Sequence, residues 1–368
     1  MTKAVSALLT AIPGFSRVLA IIAMSTLACG CHCLDFHGTI QAKGKFDGDF
    51  NGKFKVETTQ FPDLGPMVPK VVRCAGGGQA GGRIAIVDID GLIVNQNLTG
   101  ASSVGENPVA AFREKLVLAA YDPGIRGVVL RINSPGGGVA ASELMAEELH
   151  RFRQGTGKPV VACLMDLATG GAYYVAVGAD VIIAQPSTIT GSVGALVNWY
   201  NLKEAMGTYN LSPDTIKSGE KVDMGSVLRA IQPEERAVFQ EIVKVHAARF
   251  QARVARARPT MTAADKLAIQ DGRIIPATRG LELHLVDRLG FLEDAIEEAE
   301  HRSGLHGAEV VLLQRSDLPI RSIYAIAPNV PLQNMVIPLS IPGFERSRLP
   351  AFLYLWQPDP TITRLAPP

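Results

Sequence analysis

The sequence predicts an α/β fold with a mostly parallel sheet, on two observations. Short apolar runs of β type alternate with stretches of helical periodicity at the close spacing of βα units. The composition, with 47% hydrophobic residues, only 6% aromatics and 36 glycines, suits layers of helices covering both faces of a buried sheet. At 368 residues the chain has room for one large α/β unit with added terminal segments.

The first buried strand is Ile84-Ala85-Ile86-Val87-Asp88-Ile89, and Pro108 to Ala120 then has helical periodicity. Gly127 to Ile132 reads as a second strand and Ala140 to Arg153 as a helix. Pro159 to Met165 is a strand, with Cys163 a buried thiol inside it, Gly171 to Gly178 a short helix and Asp180 to Ala184 another strand. Beyond Pro233 a charged periodic run to Arg258 predicts a long helix, and Leu292 to Arg302 a further one. After Asp317 the text turns Pro-rich and apolar, a surface-packed tail.

Upstream, Phe36 to Val56 alternates apolar and polar residues with recurring glycines, which suggests a small β-hairpin or meander. Phe61 to Gly82 carries Pro and Gly and reads as linker, so the main domain is expected to start near Arg83. Lys3 and Arg17 precede the apolar run Val18 to Ala28, the pattern of a secretory signal. At about 11 residues the run falls short of the roughly 20 needed to cross a bilayer. Small residues before Cys29 and Cys31 resemble a degenerate bacterial lipoprotein site, so either cysteine is a candidate for lipidation. Cys29, Cys31 and Cys33 stand at every second residue, a spacing that suits no CxxC-type zinc site. No metal or cofactor is expected. Lys plus Arg number 36 against 35 Asp plus Glu, which leaves no basic field for a nucleic-acid partner.

The chemistry is expected where strand 127–132 runs into Asn133-Ser134-Pro135-Gly136-Gly137-Gly138 and then a helix. A glycine turn exposes main-chain N–H groups, glycines allow close approach, and a helix N-terminus adds positive potential, so an oxyanion could be held there. His150, His246, His284 and His301 lie on helical or turn segments without a paired carboxylate spacing.

Strand, Asn-Ser-Pro-Gly-Gly and then Ala141-Ser142-Glu143 resemble the signal peptide peptidase A (protease IV) family of the ClpP/crotonase fold. Further pieces follow in family order: Lys158 to Val161, Gly170-Gly171-Ala172-Tyr173-Tyr174, Pro186 to Gly194, Ile216 to Gly219, Asp271-Gly272-Arg273 and Leu285 to Gly290. The resemblance covers roughly Arg83 to Glu300. It implies a spiral of βα units and a serine–lysine peptidase, in which a Ser attacks the peptide carbonyl and a neutral Lys takes its proton. It also implies main-chain donors at Gly136, Gly137 and Gly171.

The two dyad positions depart from the pattern. Keeping the Tyr pair in step puts Gly170 where the nucleophile belongs; treating Ala172 as an insertion puts Thr169 there instead. The base position falls on Val222, with Lys221 one residue early and Lys217 five residues early. The chain is thus expected to be an impaired, peptide-binding or scaffolding homologue, with an active peptidase using Thr169 and Lys221 or Lys217 as the alternative. An acyl-CoA enzyme of the wider crotonase fold would use similar glycines, but an exported protein would not meet coenzyme A. The expected organisation is an anchor over 1–33, a β segment and linker over 34–82, a peptidase-like domain over 83–303 and an extension over 304–368. Peptides, further copies of the chain or an active relative are the expected partners, at a bacterial cell envelope and tied to the membrane through the N-terminus.

Overall fold

The computed structural model describes residues 44–46, 48–50, 65–75, 81–97, 106–315, 322–325 and 352–356. The chain divides into two compact units, Met1–Gln60 and Phe61–Pro368. In the first, β1 (Gly44–Phe46) and β2 (Gly48–Phe50) pair antiparallel, Gly44 opposite Phe50, inside the stretch read as a hairpin. Cys29 and Cys31 lie outside the described residues.

The second unit begins with β3 (Met67–Arg73), β4 (Arg83–Ile93), α1 (Pro108–Tyr121), β5 (Ile125–Gly138), α2 (Val139–Thr156), β6 (Val160–Thr169) and α3 (Gly171–Ala176). It continues with β7 (Val181–Ala184), β8 (Ile189–Gly191), β9 (Leu196–Val197), α4 (Lys203–Thr208), α5 (Pro233–Ala257) and α6 (Ala263–Ala268). The remaining elements are β10 (Ile274–Pro276), α7 (Ala277–Glu282), β11 (Arg288–Leu289), α8 (Leu292–Arg302), β12 (Glu309–Arg315) and β13 (Phe352–Leu355).

One sheet joins these strands in the order β10-β8-β6-β5-β4-β12-β3, with β7, β9, β11 and β13 attached to the side. β12, β4, β5, β6, β7 and β8 run parallel to their neighbours, whereas β3, β10 and β13 add antiparallel. Period-2 alternation sends the central strands into two cores. Ala85, Val87 and Ile89 face a core shared with Phe112, Leu116, Met145 and Leu149 of α1 and α2. Ile84 and Ile86 face one shared with Leu292, Ala295 and Ile296 of α8. Both faces are covered, which is why these strands read as continuous apolar runs.

Helix boundaries follow local chemistry. Asn107 Oδ1 accepts from Val109 N at 3.0 Å and Ala110 N at 3.3 Å ahead of Pro108, capping α1. α2 stops at Gly157, which takes φ +66° and donates to Arg153 O at 2.9 Å.

The sheet is wider than the 83–303 expectation in both directions. Met67–Arg73, inside the stretch read as linker, is a strand antiparallel to β12, and β12 itself sits between β4 and β3. Pro69 obscured β3; as the last strand of the path it can carry a proline without losing a central ladder bond. β13 likewise lies in the part read as a tail. No described helix is long and apolar enough to cross a membrane.

Candidate active site

The site is built where two strands hand over to helices. At the end of β5 the sequence predicted a glycine turn with unpaired amides; the backbone instead stays in strand to Gly138, with α2 starting at Val139. The reason is that Gly136–Gly138 has a neighbour on each side. Leu92 and Ile93 of β4 pair in parallel with Gly136 and Gly137, and β13 lies antiparallel on the other edge, Leu353 opposite Gly138, Tyr354 opposite Gly137 and Leu355 opposite Gly136. Glycine is required for that crowding. A Cβ on Gly137 would stand 2.6 Å from the carbonyl carbon of Ile93, and one on Gly136, at φ +99°, 2.7 Å from the amide nitrogen of Gly171. The Gly136 amide is not open to a substrate oxyanion, because it donates to Ser134 Oγ at 3.1 Å.

β6 ends at Thr169, and α3 begins at Gly171. Between them Gly170 adopts φ +53°, ψ −122°. Its N–H donates to Gly191 O at 3.0 Å and its carbonyl accepts from Tyr174 N at 2.9 Å, which fixes the turn. A sharp, strained strand-to-helix turn of this kind projects the side chain at its apex outward, the arrangement used to expose nucleophiles. Here the apex is glycine, and what lies over it is the Tyr354–Leu355 peptide unit of β13. A Cβ at position 170 would come within 2.6 Å of Tyr354 C and 2.9 Å of Leu355 N. Ser142 backs the cluster: its Oγ donates to Gly138 O at 2.9 Å, and its Cβ lies 3.1 Å from where Gly171 would carry one.

Thr169 is fully buried, and its hydroxyl donates to Pro135 O at 3.1 Å. The structure therefore brings Gly136, Gly137, Thr169, Gly170 and Gly171 together. It does not bring the lysines to them. Lys217 pairs with Asp223 at 2.8 Å and Lys221 with Glu234, while Val222 is 69% exposed. The bonds of these side chains stay within their own segment and the start of α5. Glu234 also pushes the Lys221 ammonium pKa up, the wrong direction for a base that must be neutral. Arg229 and Lys217 hold the Asp223 carboxyl well below the usual range. His284, read as lacking a carboxylate, has Asp265 Oδ2 3.3 Å from Nδ1, an exposed pair.

Sequence reasoning missed Tyr354. Its ring is fully buried, stacked on Tyr174 at 5.2 Å and tilted against Phe250 at 4.8 Å, with the hydroxyl donating to His246 O at 2.9 Å. The signal was the five-residue apolar run Phe352-Leu353-Tyr354-Leu355-Trp356, long enough for a strand but set in a Pro-rich context.

Residues 152–306 match the family described as Peptidase family S49. The "Putative signal peptide peptidase SppA" of Enterococcus faecium is 30% identical over 64% of this chain and 67% of its own. The "Putative protease slr0021" of Synechocystis is 33% identical over 60% of this chain and 77% of its own. The chain belongs to the signal peptide peptidase A (protease IV) family. Another member, Protease 4 of Salmonella typhi, is 31% identical over 77% of this chain, which spans 42% of that longer protein. Among solved structures, a mutant of the 1510-N membrane-bound stomatin-specific protease superposes with a TM-score of 0.41 at 14% identity, over 64% of this chain and 100% of that one. The family is one of serine peptidases, and the α/β fold with its mostly parallel sheet is the one the family motifs implied.

Proposed function

We propose that this chain is an envelope-exported, membrane-associated member of the family that binds extended peptide along Gly136–Gly138 without forming an acyl-enzyme. The observation that carries the reading is Gly170 at the apex of the strand-to-helix turn: the residue facing the overlying peptide unit has no side chain. Thr169 supports it, since its hydroxyl is buried and spent on Pro135 O. Lys221 supports it too, as an exposed ammonium paired with Glu234. Without nucleophile and base the amides near Gly137 and Gly171 retain a binding role, and main-chain hydrogen bonds suffice to add an extended chain on the edge that β13 occupies once that strand gives way.

In this reading the protein holds peptides for itself or for an active relative with which it assembles, and Cys29 or Cys31 carries the anchor. The test is hydrolysis of unfolded polypeptide, together with labelling by a serine-reactive acylating probe, for the parent and Thr169→Ala. The expected result is neither turnover nor labelling in either protein, with peptide binding measurable. Hydrolysis by the parent that disappears in Thr169→Ala overturns the proposal and makes Thr169 the nucleophile. A mature N-terminus without lipid, found in the cytoplasmic fraction, overturns the envelope assignment.

A further inference from the structure

α1 buries an apolar face, Val109, Ala111, Phe112, Leu116 and Ala119, with one charged residue set into it. Lys115 is 1% exposed, and among the described residues its Nζ has no hydrogen-bond partner. On β4, whose Val87 and Ile89 share a core with Phe112 and Leu116, Asp88 is buried as well. Its Oδ1 accepts from Arg131 Nε at 2.6 Å, whereas Oδ2 has no partner among the described residues. An amine and a carboxylate oxygen are thus both dry and both unpaired, a costly state when both are charged. Arg131 links this cluster to a distant part of the chain. Its terminal nitrogens donate to Ile323 O and, at 2.6 Å, to Ala325 O, and Ile323 packs with Ile84, Ile86 and Leu312.

The charges that act on Lys115 come from four places. Asp88 of β4 and Glu106 just ahead of α1 favour its ammonium, while Arg131 of β5 and Arg315 at the end of β12 oppose it. Glu106 is already taken by Arg315 at 2.9 Å, and Glu114 by the same arginine at 2.6 Å. Asp90 is bonded by Asn133 Nδ2 at 3.3 Å, and burial pushes its carboxyl up. Among these groups Asp88 Oδ2 is the buried acceptor left over.

We propose that Lys115 is a proton switch on the anchorage of residues 322–325. Uncharged, it leaves Asp88 to Arg131, and Arg131 holds the two carbonyls. Protonated, it draws on Asp88 Oδ2, sets a second cation near Arg131 and loosens that hold. Burial keeps the Lys115 ammonium pKa below its ordinary value of 10.5 while the segment is docked. Release admits water beside the Arg131–Asp88 pair and returns Lys115 toward that value, so the released form takes the proton more readily. The held form is therefore fully favoured above pH 10.5, loses ground as pH falls toward the lowered value, and levels off below it. Inside that window one proton changes the held-to-released ratio by about tenfold per pH unit. The switch acts whether or not peptide is bound along Gly136–Gly138.

The test is NMR on the full chain with labelled Ile δ1 methyls and Lys ε carbons, from about pH 5 to about pH 10.5. The parent is compared with Lys115→Met, which keeps an unbranched apolar stem and drops the amine. The signal missing from that variant is the Lys115 carbon, and Ile323→Val assigns the Ile323 methyl. The Lys115 carbon is expected to titrate below the other lysines. As pH falls through the same range the Ile323 methyl should pass from its buried to its released position, and in Lys115→Met it should stay buried throughout. Titration of Lys115 together with the other lysines overturns the proposal. So does an Ile323 methyl that stays put while Lys115 titrates, or that moves alike in parent and Lys115→Met. Absence of any change in both signals across the range overturns it as well.

Discussion

A Cβ on Gly170 would stand 2.6 Å from the carbonyl carbon of Tyr354, inside the distance at which real side chains meet backbone. The glycine and the overlying strand are therefore mutually dependent. Gly170→Ala is expected to lose about 1–3 kcal/mol from its backbone angles alone and more from the collision, read as a fall in the urea midpoint. In a chain truncated after Pro350, which lacks β13, the collision is relieved and only the first part of the loss should remain. An equal loss in both backgrounds would mean that β13 does not rest on this turn.

Thr169 offers a structural hydroxyl. Thr169→Ala removes one of two donors to Pro135 O, the other being Trp356 N, and should cost about 1 kcal/mol. Thr169→Ser keeps the donor and should recover most of it. Denaturant titration of the pair separates this role from a chemical one, which would show in turnover and not in stability.

Beneath the sheet, Arg131 Nε donates to Asp88 Oδ1 at 2.6 Å with both side chains buried, and its other nitrogens reach Ile323 O and Ala325 O. Asp88→Ala strands a buried guanidinium and is expected to destabilise by about 3–5 kcal/mol. Amide exchange at 322–325 should accelerate in the same variant. Slow exchange there would show that the arginine holds those carbonyls without its carboxylate.

Burial pushes the Cys163 thiol up from its ordinary value near 9 to about 12, whereas Cys74 is exposed. Iodoacetamide at pH 8 should alkylate Cys74 and spare Cys163 in the folded protein, as peptide mass mapping would show. The sign of the linkage follows. Unfolding lets Cys163 ionise at its ordinary pKa, so its contribution is constant below about pH 9 and stability falls between 9 and 12. Cys163→Ala should flatten that part of the profile.

The central elements were legible because each announces itself locally. Pro108 marks the start of α1, and the apolar runs at 84–89 and 127–132 fall within β4 and β5. The period of Leu292 to Arg302 gives α8. What was not legible depends on partners distant in sequence. Gly136–Gly138 looks like a turn in isolation and becomes strand only because Ile93 and Tyr354 flank it. Met67–Arg73 contains a proline and is stabilised by β12, some 240 residues away. At the site, the family resemblance placed Gly170 and Gly171 with Gly136 and Gly137, but gave no sign that Ser134 takes the Gly136 amide or that an aromatic pocket lies alongside.

The position of β12 also orders events in time. It fills the slot between β4 and β3, so the strand that opens the main sheet has no partner on that edge until Arg315 has been made. A nascent or truncated chain ending before Glu309 would present the β4 edge bare, with Ile84 and Ile86 lacking Val310 and Leu312 beside them. Such an edge invites pairing with other chains. Long-range closure of this kind makes folding slow to begin, and it makes the far end of the sequence the step that commits the molecule to its native pairing.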